Sequence, residues 1–206
     1  MKRTFSLLLF ILLVSNTFAH VKFEGVELTG SKQTFVEKLQ HKGYTFVCDN
    51  ANKTVLEGKY NGMACSVIVY AYSQSIDIVY RVEVLTKTYV KWENLKAEFD
   101  RIESKLVTMY GTPTNETKLI YPPFSEENNE MLGISLNSFR YQSTWEELDE
   151  ATIRLSLNSD ACVEIRLVDR SSESMGKKMQ QVSVQKAVEG TKEVIGNFFN
   201  SLRTGN

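Results

Sequence analysis

Only two histidines, His20 and His41, occur in the 206 residues. Serine or cysteine nucleophiles activated by a base would need one of them close by, and neither histidine lies in a nucleophile motif. His41 sits in Gln40-His41-Lys42, near the end of a surface helix, where the dipole favours a solvated imidazole. If a leader is cleaved after Ala19, His20 becomes the first residue, and its amine and imidazole together can chelate copper. His41 is the only side chain that could complete such a brace. Carboxylates cluster at Glu126, Glu127 and Glu130 and again at Glu146, Glu147, Asp149 and Glu150. Glycosidase chemistry needs two carboxyl groups facing across a cleft, whereas runs of this kind are expected as solvated faces. Asp49-Asn50-Ala51-Asn52 lacks the glycine and closing glutamate of a calcium loop and reads as a hairpin turn.

The three cysteines, Cys48, Cys65 and Cys162, show neither CxxC nor metal-type spacing. If Asp49–Asn52 is a four-residue loop and Asn61-Gly62 a two-residue turn, Cys48 faces Lys53 and Cys65 faces Gly58. That separates them by roughly 17 Å, beyond disulfide reach. No cofactor motif is present, so no cofactor is expected, and no metal apart from the His20–His41 possibility.

Aromatic residues supply a different kind of candidate. Tyr70 and Tyr72 share a strand face with Ile68, and Tyr141 and Trp145 share one with Phe139. Pro122–Asn137, which carries Phe124, is rich in polar and turn-forming residues and reads as a long surface loop. Exposed aromatics favour interfaces, although half of every sheet must be buried. The candidate partner-binding set is therefore Tyr70, Tyr72, Phe124, Tyr141 and Trp145.

The elements that position these residues centre on Val90–Tyr110. Leu95, Phe99, Ile102, Leu106 and Met109 recur at spacings of four and three, the stripe of an amphipathic helix, and Gly111 and Pro113 stop it. Before it, Ser31 is a helix cap, with Phe35, Val36 and Leu39 on the inner face and Gly43 at the end. Four strands are expected at Tyr44–Cys48, Lys53–Tyr60, Met63–Tyr72 and Ile76–Leu85, with Asn61-Gly62 as a type I′ turn. In the fourth, Ile76, Ile78, Tyr80, Val82 and Val84 alternate with Asp77, Arg81 and Glu83 and should form the buried side. The order then recurs, with strands near Thr117–Tyr121, Phe139–Trp145, Ala151–Asn158 and Ala161–Val168. Ser172–Leu202 is helical by pattern, with Val184, Val188, Thr191, Ile195, Phe198 and Leu202 as a stripe that should cap the second sheet.

Lys2 and Arg3 precede the apolar run Phe5–Val14 and the small-residue pattern Thr17-Phe18-Ala19. This pattern predicts a secretory leader over residues 1–19 and a periplasmic or secreted mature chain. No later stretch is apolar enough to span a bilayer. The net charge of −1 becomes slightly more negative without Lys2 and Arg3, leaving no basic footprint for nucleic acid. With 42% apolar residues the chain can build a core.

The segments HVKFEGVELTGSKQTFVEKLQHKGY, LEGKYNG and WENL…KLVTMYGTP resemble a family of small exported proteins of Gram-negative gut bacteria. The likeness runs through Pro113, its motifs are structural, and it implies an envelope or secreted location. No catalytic residue comes with it. Tandem units of helix plus antiparallel strands also look like the architecture of the β-lactamase inhibitory protein and, per unit, of small outer-membrane assembly lipoproteins. That is an analogy of fold alone.

The expected protein is thus α+β: a leader over 1–19, one helix-plus-four-strand unit over 20–87, a second over 88–170, and a C-terminal helix over 171–206. Scarce histidine and the lack of a nucleophile motif favour a non-enzymatic binding or inhibitor-like module for a protein partner. The alternative is an envelope enzyme using surface carboxylates on a glycan, or copper at His20.

Overall fold

The computed structural model describes residues 20–126, 129–146, 148 and 150–204. The expected leader, together with Glu127, Glu147 and Asp149 of the carboxylate clusters, lies outside the described residues, as do the side chains of 196–204. A small hairpin, β1 (Lys22–Phe23) and β2 (Val26–Glu27), opens the fold and sends Phe23, Val26 and Leu28 into the core. Helix α1 (Lys32–Gln40) starts where the Ser31 hydroxyl accepts the Thr34 N–H at 3.2 Å. Four antiparallel strands follow: β3 (Thr45–Asn50), β4 (Lys53–Tyr60), β5 (Met63–Ala71) and β6 (Val79–Leu85). Asn61 and Gly62 both take positive φ, 50° and 81°, as the type I′ turn requires. The β3–β4 turn is tighter than expected, because Asn50 already pairs with Lys53. Cys48 consequently faces Val55 rather than Lys53, while Cys65 faces Gly58. Since β3 and β5 flank β4, the two cysteines are separated both along and across the strands, and all three cysteines are free.

Helix α2 (Trp92–Tyr110) buries Leu95, Phe99, Ile102 and Leu106, whereas Met109, at the end of the expected stripe, is half exposed. Beyond Gly111 come β7 (Asn115–Ile120), α3 (Glu130–Ser135), β8 (Phe139–Trp145), β9 (Ala151–Leu157) and β10 (Val163–Asp169). The two groups of four strands do not form separate sheets. Their last strands, β6 and β10, pair antiparallel with Ile165 opposite Val84 and Arg166 opposite Glu83. The result is one eight-stranded antiparallel sheet in the order β3-β4-β5-β6-β10-β9-β8-β7.

One face of this sheet is the core. Leu56, Val67, Val69, Val82, Val84, Ile153, Leu155, Val163, Ile165 and Leu167 are all at most 2% exposed and pack beneath α1, α2 and the small hairpin. Tyr141 and Trp145 belong to this face, 6% and 2% exposed, which corrects their expected role at an interface. The Tyr141 ring meets Phe99 edge-on at 4.8 Å, and the Trp145 indole N–H donates to the Gly111 carbonyl at 2.8 Å. That bond ties the end of α2 to the end of β8. The segment Pro122–Asn137 is not a plain loop: α3 within it buries Ile134, and Phe124 packs against the bare Cα of Gly133. Phe124 thereby anchors the segment to the body.

The C-terminal helix, α4 (Arg170–Thr204), does not cap the second sheet. Among the described residues its hydrogen bonds and packing contacts with the body lie in the first three turns: Ser172 donates its hydroxyl to the Leu28 carbonyl, Gly176 lies against the ring of Tyr72, and Gln180 accepts the Tyr72 hydroxyl at 3.0 Å. From Lys177 to Ile195 every residue is exposed, so this roughly 50 Å helix stands away from the domain. Asp169 fixes where it begins. Fully buried, its carboxylate accepts the Val21 N–H at 2.9 Å, the Ser172 N–H at 2.7 Å and a contact from His20 Nδ1 at 3.1 Å.

Two truncation and substitution experiments follow from this division. Ending the chain after Ser183 is expected to change the stability of the body by less than about 0.5 kcal/mol, because Val184–Ile195, the described side chains lost, are all exposed. Asp169→Ala strands donors on two segments, His20 and Val21 on one and Ser172 on the other, and is expected to cost about 3 kcal/mol. Urea denaturation of both variants reads the two values.

Candidate functional site

The face of the sheet opposite α1 and α2 is polar and, among the described residues, covered by no element except where the first turns of α4 approach β6. The β6–β10 seam brings together side chains from both halves of the chain there. Glu83 is 6% exposed, and its carboxylate accepts the Tyr70 hydroxyl at 2.7 Å. The Arg166 Nε lies 2.8 Å from the same carboxylate and the Arg81 Nε 3.5 Å from it. A buried carboxylate is tolerated only with such partners. The contact to Arg166 is one of charge, since its N–H is not aimed along it. Arg81 stacks over the Tyr70 ring with its guanidinium carbon 3.8 Å from the ring centre, a cation–π contact. Arg166 also donates to Glu164 at 2.7 Å.

Arg154, one strand further, stands directly opposite Arg166 in the β9–β10 register. Like charges facing each other across strands repel, and no carboxylate among the described residues pairs with Arg154. The Nε atoms of Arg81, Arg154 and Arg166 are all buried without a hydrogen-bond acceptor. Together with Tyr80, Thr152, Val168 and Glu173 these arginines line a hollow of about 310 Å³. Glu173 at its rim is engaged by Lys177 at 3.0 Å, and Arg170 donates to Thr152 at 3.2 Å.

Tyr80 reaches this hollow because of an irregularity. Strict alternation placed it on the buried side with Val82 and Val84. Instead Tyr70 pairs with Arg81 while Ala71 pairs with Val79, so Tyr80 is the extra residue of a bulge. It turns outward and meets Tyr72 edge-on at 5.8 Å. Bulges commonly re-aim a side chain in this way beside functional sites.

The structure brings Tyr70 and Tyr72 onto this open face, as their spacing predicts, but leaves the other expected residues elsewhere. Tyr141 and Trp145 are core, and Phe124 holds α3. His20 contacts Asp169, whereas His41 lies beside the Gly25 turn at the far end of the small hairpin. Five extended residues separate these ends by roughly 15 Å, which rules out one copper site for both. Among the described residues no group of three potential metal ligands occurs. Of the two carboxylate clusters, the described Glu126 and Glu130 lie towards one end of β8 and Glu146 and Glu150 towards the other, roughly 20 Å apart, too far to face each other as a glycosidase pair. Asp49 is held by Lys32 at 2.7 Å and by Thr54, with the Lys32 bond drawing its carboxyl below the usual range. Burial raises the Cys65 thiol and pushes that of Cys162 up to about 11, so neither is a ready thiolate near neutral pH.

The arginines were legible only as members of wet faces. The available signal was an arginine on the polar side of three different strands, Arg81, Arg154 and Arg166, but strand order was needed to make them neighbours.

Burial, reinforced by Glu83, pushes the Tyr70 phenol up to about 12, and burial does the same to Tyr60. Unfolded tyrosine ionises near about 10, so these protonated phenols favour the folded chain. Their contribution is whole below pH 10 and is lost as pH rises to 12. Alkaline denaturation is therefore expected in that window. Glu83→Gln removes a negative charge beside Tyr70 and is expected to let its phenol ionise at lower pH, read as the ultraviolet difference between this variant with and without Tyr70→Phe.

Compared with protein-family models, with curated proteins and with solved structures, the chain matches none.

Proposed function

We propose that the protein is an exported, non-enzymatic binding module that docks a protein partner on the open face of its eight-stranded sheet. The observation that carries this reading is the asymmetry of the sheet. One face is sealed by helices, while the other presents Tyr70, Tyr72, Tyr80, Arg81, Arg154 and Arg166 across four adjacent strands. Tyrosine and arginine are enriched at the energetic centres of protein interfaces. Tyrosine loses little side-chain entropy on contact, and arginine forms several bonds from one planar group. Export rests on the leader pattern of Lys2–Ala19. The fold supports a description as two helix-plus-four-strand units joined at their last strands, the arrangement that gives a sheet wide enough to receive a globular partner.

The test uses mature chain from His20, immobilised and exposed to envelope and secreted fractions of the producing cell. Ser156→Trp places a bulky ring on the open face of β9, and Ser104→Trp places the same ring on the exposed side of α2. The native chain and Ser104→Trp are expected to hold one saturable protein, with at least about ten-fold weaker capture by Ser156→Trp, the loss of one hot-spot contact. Equal capture by both variants, or no capture by any form, overturns the reading.

A further inference from the structure

We infer that the arginine-lined hollow at the β6–β10–β9 junction receives a carboxylate, supplied by an acidic side chain of the docked protein partner. This rests on the open-face reading above and specifies the chemistry at its centre. Three arginines, Arg81, Arg154 and Arg166, meet two carboxylates, Glu83 and Glu164. Glu173 at the rim is already answered by Lys177. Among these five groups one positive charge is in surplus, and that charge is Arg154; Arg170, held on Thr152, adds a further cation at the rim.

Three features show that the surplus is unsatisfied in the free chain. Arg154 and Arg166 are placed directly opposite each other, a repulsive pairing. The Arg154 Nε is buried without an acceptor, whereas those of Arg81 and Arg166, though not in hydrogen-bond geometry, lie against Glu83. The space between them, about 310 Å³, opens onto the polar face and has room for a carboxyl group. A carboxylate there would accept from both facing guanidinium groups, converting a repulsion into two charge-assisted bonds.

The charge also selects among anions. A carboxylate brings one negative charge, whereas a phosphate dianion would set its second charge close to Glu83 and Glu164. The rim is built of Tyr80, Thr152 and Val168 rather than of lysines, which suits a protein surface better than a polyanion. Nucleic acid would need a line of cations that the face does not have.

The experiment uses isotope-labelled mature chain and follows the arginine Nε–H signals by NMR, assigned through Arg81→Lys, Arg154→Lys and Arg166→Lys. The probes, at fixed ionic strength, are a Gly-Glu-Gly peptide blocked at both ends, the same peptide with Gln, and inorganic phosphate. Saturable shifts of the Arg154 and Arg166 signals are expected with the Glu peptide alone. Arg154→Gln should weaken that binding at least about ten-fold, and Arg154→Lys, which keeps the charge but loses the fork, by an intermediate factor. Backbone amide spectra of both variants report whether each is folded, and Arg154→Lys carries the test if Arg154→Gln is not. Absence of saturable shifts, or tighter binding of phosphate than of the peptide, overturns the inference. Partner capture separates the two readings. If Ser156→Trp abolishes capture while Arg154→Gln leaves it unchanged, docking stands and the carboxylate site falls. If the peptide binds but Ser156→Trp still captures the partner, the site stands and its link to docking falls.

Discussion

The pairing of β6 with β10 is the interaction on which the rest of this structure depends. Each group of four strands taken alone would have two edges and half a core, and exposed edges are liabilities. Joining the last strand of each group removes two of those edges and makes one sheet. On the inner face the seam sets Val82 and Val84 beside Ile165 and Leu167, giving α1 and α2 a continuous apolar floor. On the outer face the same register sets Glu83 beside Arg166. A single set of backbone hydrogen bonds thus defines both the core and the polar centre.

That polar centre is built against the usual preference for neutral or paired groups. Glu83 is a buried carboxylate held between two arginines and a tyrosine hydroxyl. Holding one negative charge draws in two positive ones, and Arg154 adds a third with no acid of its own among the described residues. A sheet face optimised only for stability would place a neutral or acidic side chain opposite Arg166. The arrangement instead keeps a repulsion that an incoming anion can relieve, at a place where the bulge at Tyr80 adds an aromatic wall. Natural proteins tend to break local rules where they bind or react.

The ends of the chain are organised by a second buried carboxylate. Asp169 closes β10, receives the start of the N-terminal strand and opens α4, so one side chain locks the β10–α4 junction to a segment at the other end of the chain. Past this anchor Tyr72 steadies α4 by packing on Gly176 and donating to Gln180, and the helix then leaves along its own axis. Its exposed Met179, Val184, Val188 and Ile195 are then a consequence of length, since the anchor controls only the first two turns.

The sequence by itself determined the local elements. Apolar spacing located α2, the Ser31 cap located α1, and Asn61-Gly62 located a turn, because each depends on contacts within a few residues. Strands β4 and β8 fall at their expected limits, and the other strands of the large sheet within three residues. Alternation also grouped Tyr70 with Tyr72 and Tyr141 with Trp145. It failed at Tyr80, where a bulge shifts the period by one, and it left open that the first pair is outer and the second core, because alternation says which residues share a face but not which face is sealed. Likewise the C-terminal stripe showed a helix and gave no information on what, if anything, lies against it. Only the tertiary structure decided that two sheets are one, that three arginines from distant strands converge, and that His20 and His41 do not. Those outcomes rest on pairings between residues some eighty positions apart, such as Arg166 with Glu83, and long-range register is set by how whole faces fit together rather than by any property of the residues in isolation.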